Sequence, residues 1–411
     1  MGAKIHPVVG ATIANAELLF DEGRIAAIGQ HLDVPDNAER IDVTGKHIYP
    51  GLFDAYTNIG LIEIDAVRAT KDLTETGSLN PNVRAEVAVN PDSELIPVTR
   101  SAGVLLCLTA PTGPLIAGSS AVLQLDGWTW EDMTLRSRVG MHVRWPNIVP
   151  LTDWSVEESA QKQIKKRNEL LKRLDQFVAD ARAYARARSA RQQNPDSSPL
   201  AFDARFEAVL PVLKGRQLLV VEADELQQIQ SAVAFADRED LTLILLGGYD
   251  APRCAELLVK RDIPVIVRGI YRLPRRRSDN YDAPFTLPER LRQAGIRFCI
   301  SSHGKFAASN VRNLPYHAAM AAAYGLPRDE ALKSVTLYPS QILGVADRVG
   351  SLEPGKDATL IITDGDPLET TSHVLAAYIQ GRRVDLNDRH KRLWKKYQEK
   401  YRRIKAETTS P

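Results

Sequence analysis

The sequence predicts an α/β protein: a (β/α)8, TIM-like barrel plus a small composite β-domain formed by the N- and C-terminal segments. The first observation is a series of β-rich runs at His47–Phe53, Gly103–Thr109, Ala121–Leu125, Gly140–Val143, Gln217–Val221, Leu241–Leu246, Pro264–Val267 and Arg297–Ser301. The second is that several are apolar throughout, as in Leu218-Leu219-Val220-Val221 and Leu243-Ile244-Leu245-Leu246. A strand buried on both faces reads this way. The third is that helix-period segments, Ala223–Asp237, Pro252–Lys260 and Leu287–Ala294, separate the later runs. Eight such alternations are the pattern of a closed parallel barrel.

The elements follow in order. Residues 1–48 read as short strands and tight turns, with Asp21-Glu22-Gly23 turning a hairpin between Ala16–Phe20 and Arg24–Ile28. Residues 59–100 are a long connection that ends in a helix near Asp92–Ala102. A long charged helix is expected over 155–192, opened by a capping box at Ser155 and Glu158. Its apolar stripe, Ile164, Leu170, Leu171, Leu174, Phe177, Val178 and Ala181, is spaced to pack on one face. The barrel is expected to occupy 49–344, with 155–192 as an excursion. Strand patterns in Val349–Thr363 and His373–Val384, with turns at Glu353–Lys356 and Asp364–Pro367, complete the β-domain from 345–386. The remainder, 387–411, carries a basic helix. Its Asp388–Lys405 portion has nine Lys/Arg against two Asp/Glu, and Leu393, Trp394, Tyr397, Tyr401 and Ile404 form a stripe that predicts docking on the barrel. A tail that binds nucleic acid or lipid is the alternative.

Composition excludes several classes. The chain has 411 residues, 44% hydrophobic and 25% charged, ordinary for a globular protein. With 53 Lys+Arg against 51 Asp+Glu the net charge is +2, which argues against a nucleic-acid partner. Cys107, Cys254 and Cys299 are far apart and form no CxxC, so neither a disulfide framework nor a zinc ribbon is expected, and all three read as buried thiols. No apolar run reaches the roughly 18 residues of a membrane span. The expected location is the cytoplasm, or outside it if a leader precedes Met1. A homodimer is the default oligomer.

Two segments carry a resemblance. Tyr49-Pro50-Gly51-Leu52-Phe53-Asp54-Ala55-Tyr56-Thr57-Asn58 resembles the first barrel strand of the amidohydrolase superfamily, where Pro-Gly-hydrophobic-hydrophobic-Asp-x leads into His-x-His. Gly350–Leu360, followed by Asp364-Gly365-Asp366-Pro367-Leu368, resembles that family's return into its small β-domain. Arg24–Gly29 is similar to the matching N-terminal hairpin, and Thr336-x-x-Pro339-Ser340-x-x-Leu343-Gly344 also fits. The resemblance covers about residues 5–386 and is nearest to the imidazolonepropionase-like branch. It implies a hydrolase of carbon–nitrogen bonds other than peptide bonds, with one or two divalent metals at the C-terminal mouth of the barrel. It specifies fold more closely than chemistry.

The departures are at the implied metal ligands. Strand one offers Tyr56 and Asn58 where the family has two histidines. Strand five ends Val221-Glu222-Ala223, strand six Gly247-Gly248-Tyr249, and strand eight Ser301-Ser302-His303, with His303 where the family has aspartate. Strand four carries His142. A phenol must lose a proton with a reference pKa of about 10, and an amide oxygen carries no charge, so both are poor substitutes for imidazole. The expectation is therefore a degenerate site with no metal and no other cofactor. A residual zinc or similar divalent site built from Glu222, His142 and His303 is the alternative.

Strand-end residues should still surround one pocket that takes a small-molecule ligand. Asp126, at the end of the third run, and Thr109 belong there with the rest by their position in the sequence. His303, Glu222, His142, Tyr56 and Asn58 are the candidate catalytic residues: His303 or Glu222 as base, Arg268 or Tyr56 for the oxyanion. Arg268, Tyr249, Ser302, Asn313 and His317 are the candidate substrate-binding residues. His317 also reads as a satisfied core histidine on the helix Tyr316–Ala323. Arg275-Arg276-Arg277 reads as a loop neutralised by Asp279 and Asp282, with capture of a carboxylate or phosphate as the alternative. A non-catalytic barrel serving as a binding or scaffold protein is the competing reading of the whole.

Overall fold

The computed structural model describes residues 1–152, 156–194, 200–302 and 307–409. The two ends of the chain share one sheet. Its strand order is Arg382–Arg383, Val374–Ile379, Leu360–Thr363, His47–Pro50, Ala3–Ile5, Ile13–Asp21, Arg24–Gly29. His47–Pro50 joins the halves, parallel to Ala3–Ile5 and antiparallel to Leu360–Thr363. Alternation along these strands buries Ile5, Ile25, Ile48, Leu360 and Tyr378 in one small core.

The expected first barrel run, His47–Phe53, is therefore two strands. His47–Pro50 belongs to the β-domain and Leu52–Thr57 is the first stave of the barrel. Gly51 sits between them, its N–H bonded to the Thr359 carbonyl. A Cβ at Gly51 would stand 2.9 Å from the Leu105 side chain. The crossing between the layers needs that close approach, and glycine supplies it.

Eight staves follow. Val104–Thr109 pairs in parallel with the first. The third differs from expectation: Ala121–Gln124 is antiparallel to the second stave, and Ile116–Ser119 is antiparallel to the fourth. The connection between the second and third staves is too short for a crossover helix, and a short connection returns the chain antiparallel. From Gly140–Arg144 onward the pairing is parallel through Leu218–Ala223, Leu243–Gly247, Val265–Val267 and Phe298–Ile300. Seven staves thus run one way and one the other, a TIM-barrel-type arrangement with an additional domain.

Side-chain alternation divides the core in two. Phe53, Leu106, Val122, Val220, Ile244, Ile266 and Cys299 form one cluster. Leu52, Leu105, Leu219, Leu245 and Val265 pack instead with the helical residues Ile229, Val233, Leu258, Leu287 and Ala318. The first stave carries an irregularity: Asp54 faces Cys107 and Thr57 faces Thr109, so two residues, Ala55 and Tyr56, oppose one. Such a bulge re-aims a side chain at a barrel rim. Here it brings Tyr56 as well as Ala55 into the cluster with Phe53.

The long helix spans Ala160–Gln193, with the Ser159 side chain accepting from the Lys162 N–H at its start. The expected cap residue Ser155 lies outside the described residues. Leu174, Phe177, Val178, Ala181 and Tyr184 are its buried stripe. The last helix, Arg389–Thr409, does not dock along the predicted stripe. Leu393, Trp394, Tyr397, Tyr401 and Ile404 are all exposed, and its ties are near its start, Arg392 to Glu94 and His390 to Arg312. No described helix is long and apolar enough to cross a membrane.

Candidate functional site at the barrel mouth

The C-terminal ends of staves four to seven bring together a dense set of charges. Parallel register sets Arg144 beside Glu222. The Arg144 Nε donates to Glu222 Oε2 at 3.2 Å, and Arg268 Nη1, just past the seventh stave, donates to Glu222 Oε1 at 2.6 Å. Through its other nitrogen, Nη2, Arg268 also holds Asp224. Arg275 Nη1 reaches the same Asp224 oxygen at 3.0 Å and Arg275 Nη2 reaches Glu225 at 3.4 Å. Gly247, at φ +112°, leaves room for this carboxylate: a Cβ there would lie 2.6 Å from Asp224 Oδ1. Burial alone would raise the Asp224 carboxyl, but the guanidiniums of Arg268, Arg272 and Arg275 outweigh it and hold the group below its ordinary value. Arg268 in turn is raised, because Asp224 and Glu222 overcome the cost of its burial.

Tyr249 anchors the outer edge of this cluster. Its hydroxyl donates to Asp279 Oδ2 at 2.8 Å, and the Arg272 and Arg276 guanidiniums lie 5.2 and 5.9 Å from its ring centre. Arg276 binds Asp250 and approaches Asp279 at 3.7 Å. The loop arginines are therefore neutralised mainly from the ends of staves five and six, with Asp279 contributing and Asp282 not. Arg277 stays exposed.

Staves one, two and eight meet differently. Asp54 is fully buried and ties the first stave to the end of the eighth: it accepts from Ser302 Oγ, from the Ser302 N–H at 3.3 Å and from the Tyr56 N–H at 3.1 Å. Burial pushes its carboxyl up to about 7, against the opposing pull of those hydrogen bonds. Cys107 and Cys299 are buried on the neighbouring staves, and burial together with Asp54 raises both thiols. Asn58 Nδ2 donates to the Ala110 carbonyl at 2.7 Å. The Tyr56 ring lies 5.5 Å from that of His142, and burial with the nearby Glu222 charge keeps its phenol protonated.

The structure thus gathers Tyr56, His142, Glu222 and Arg268 on one side of the mouth. His303 lies outside the described residues. His317 Nδ1 accepts the Ile270 N–H at 3.1 Å, its ring is edge-on to Tyr271, and burial lowers it to about 4. Asn313 donates to Asn310 at 3.4 Å. Asp126 is not at the mouth: it pairs with Arg100 at 2.5 Å and faces Arg382 of the β-domain. The reversed third stave carries its C-terminal end to the opposite rim. In the sequence Asp54 stands out only as part of the first-strand motif. A charged residue inside the apolar run Leu52-Phe53-Asp54-Ala55 was the signal for it, since a buried carboxylate needs a partner. A cleft of about 1230 Å³ opens beside the mouth, lined by Arg268, Arg272, Ser302, Asn313, His317 and Met320 among others.

The comparisons with known proteins agree with this architecture. The amidohydrolase family model matches residues 256–387. An amidohydrolase structure from Thermotoga maritima superposes with a TM-score of 0.82 at 23% identity, covering 93% of this chain and 98% of that one. The chain is thus similar to amidohydrolases in its C-terminal third by sequence and throughout by fold. Among its curated relatives, amidohydrolase tasK of Hapsidospora irregularis is 20% identical over 89% of this chain and 39% of its own length. The imidazolonepropionase of Mesorhizobium japonicum is 26% identical over 49% of this chain and 44% of its own. The chain thus spans less than half the length of these curated relatives.

The superfamily implies a divalent metal, and the donor set can be tested against it. Among the described residues no group of three His, Cys, Asp or Glu is placed to hold a metal ion. Tyr56 is held as a neutral phenol, the Asn58 amide is bonded to a backbone carbonyl, and Glu222 and Asp224 are bound to arginine. A cation at this point would displace a guanidinium from each carboxylate. These residues do not fit the family's metal.

Proposed function

We propose that this amidohydrolase-like chain hydrolyses a carbon–nitrogen bond other than a peptide bond, in a small-molecule substrate, without the family's metal. The observation that carries this reading is the Arg268 guanidinium spanning Glu222 and Asp224, a fixed positive charge at the rim where the family places a cation. Glu222 is a partly exposed carboxylate oriented by two arginines, and it would take the proton from an attacking water. Arg268 and the protonated Tyr56 would receive the charge that develops on the carbonyl oxygen. The substrate class, a cyclic amide, comes from the imidazolonepropionase relatives and from a D-hydantoinase of Geobacillus stearothermophilus, 39% identical over 72 residues.

The second reading, a barrel that binds but does not react, is favoured by the same ion pairs, which occupy both oxygens of Glu222 with arginine donors. One experiment separates the two. Untagged protein is assayed for ring opening of hydantoin and dihydrouracil, before and after chelation, with its metal content measured. Turnover that survives chelation and falls at least about 100-fold in Glu222→Gln supports the proposal. Turnover that needs near-stoichiometric metal overturns the metal-free mechanism. No turnover in any preparation leaves the binding barrel.

A further inference from the structure

The last helix, Arg389–Thr409, keeps its apolar stripe in solvent. The other long charged helix, Ala160–Gln193, buries Leu174, Phe177, Val178 and Ala181. The last one instead leaves Leu393 41% exposed, Tyr397 50%, Trp394 61% and Tyr401 64%. From Lys391 to Lys405 every residue is exposed except Glu399, which accepts from Arg402 and Arg403 at 2.9 and 2.7 Å. The ties of Arg392 to Glu94 and of His390 to Arg312 hold only its first turn to the body. Large apolar side chains set side by side in water mark a surface that meets something.

Their position around the helix axis says what. At about 3.6 residues per turn, Leu393, Trp394, Tyr397 and Tyr401 fall within an arc of about 100°. Lys396 and Lys400 border one edge of that arc and Lys405 the other, and Lys391, Lys395, Arg402 and Arg403 lie on the opposite face. The Lys400 Nζ is 5.8 and 5.7 Å from the Tyr397 and Tyr401 ring centres, at the seam between the two faces. Asp388–Lys405 carries nine Lys/Arg against two Asp/Glu. A second copy of the helix laid on the stripe would set lysine against lysine along both edges. A nucleic-acid duplex would answer the charge but offers Leu393 and Trp394 no apolar layer to enter. A bilayer with anionic headgroups answers both: Trp and Tyr sit at the headgroup level, and the lysine stems reach outward to phosphate. We propose that this helix binds the protein to the surface of an anionic phospholipid bilayer. It lies in the interface plane, with the aromatic stripe inward and the basic face outward, and does not span the bilayer.

Co-sedimentation of the full chain with lipid vesicles tests this, and it needs no turnover at the barrel mouth. Phosphatidylcholine vesicles that contain phosphatidylglycerol should bind the chain at least about tenfold more strongly than vesicles of phosphatidylcholine alone, and added salt should weaken that binding. Trp394→Gln combined with Tyr401→Gln should reduce it at least about tenfold, as should Lys395→Glu combined with Lys396→Glu. Phe202→Gln, at an exposed apolar residue outside the helix, should bind as wild type. Should either double variant fail to fold by circular dichroism, Tyr397→Gln or Lys400→Glu replaces it. Equal binding to both kinds of vesicle, no binding, or binding that survives loss of the stripe overturns the proposal. So does a dimer, seen by analytical ultracentrifugation, that the Trp394 and Tyr401 substitutions dissociate, or tighter binding to a DNA duplex than to the anionic vesicles.

Discussion

The two sides of the barrel mouth bury polar groups by opposite means. On staves four to seven, Asp224 remains ionised because arginines surround it. On staves one and eight, Asp54 has no cation beside it among the described residues. Burial drives it toward the neutral form, and the Ser302 hydroxyl and two backbone N–H groups attend it. Both carboxylates are equally hidden, so depth alone does not decide ionisation. The partner does. The ionic side lies at the mouth beside the cleft, and the neutral side ties the first stave of the barrel to the end of the last.

This contrast can be broken most sharply at Arg268. Removing it as Arg268→Met leaves Asp224 and Glu222 without their shared partner, and breaking a buried pair in this way costs roughly 3–5 kcal/mol. Urea unfolding at pH 7 should show that loss. A change under about 1 kcal/mol would mean that Arg275 and Arg144 suffice and that the pairs are of the weak surface kind.

The neutral side should answer to pH. Asp54 has a folded pKa raised above its unfolded value, so its favourable contribution is complete below about pH 4 and is lost as pH rises through about 7. The full swing is roughly 4 kcal/mol. Asp54→Asn keeps an acceptor for the Ser302 and Tyr56 N–H groups and removes the charge. Relative to wild type, the variant should gain stability between about pH 4 and pH 7 and level off above that. A difference that is flat with pH would show that Asp54 ionises freely in the fold.

His317 gives a smaller effect of opposite sign. Its pKa is lowered by burial to about 4, so its contribution is intact above about pH 6.5 and is lost as pH falls toward 4, by roughly 3 kcal/mol. His317→Gln retains an acceptor for the Ile270 N–H, and the difference from wild type should shrink or reverse on acidification. In the native chain the two groups partly offset one another, so only the paired variants expose them.

Much of the mouth was legible from residue order. The alternation of apolar runs with helix-period segments located staves four to eight, because strands buried on both faces are written as continuous apolar stretches. The same rule placed Glu222, Tyr249, Arg268 and Ser302 at strand ends. It failed at the third stave, where an apolar run does not reveal its direction, and Asp126 was assigned to the wrong rim as a result. It failed again at the last helix, whose apolar stripe has the right spacing for docking and yet is exposed.

The sequence by itself determined which polar residues the barrel must accommodate and the absence of His-x-His after Asp54, because residue type and period are written directly in it. Only the tertiary structure decided the pairing. Arg268 reaches Glu222 and Asp224 from more than forty residues away, Asp54 meets Ser302 across the closure of the barrel, and Arg272 approaches Asp224 at 3.9 Å. Ion pairing depends on distances of a few ångströms between segments remote in the chain. Those distances are set by stave order and register, which no local pattern encodes.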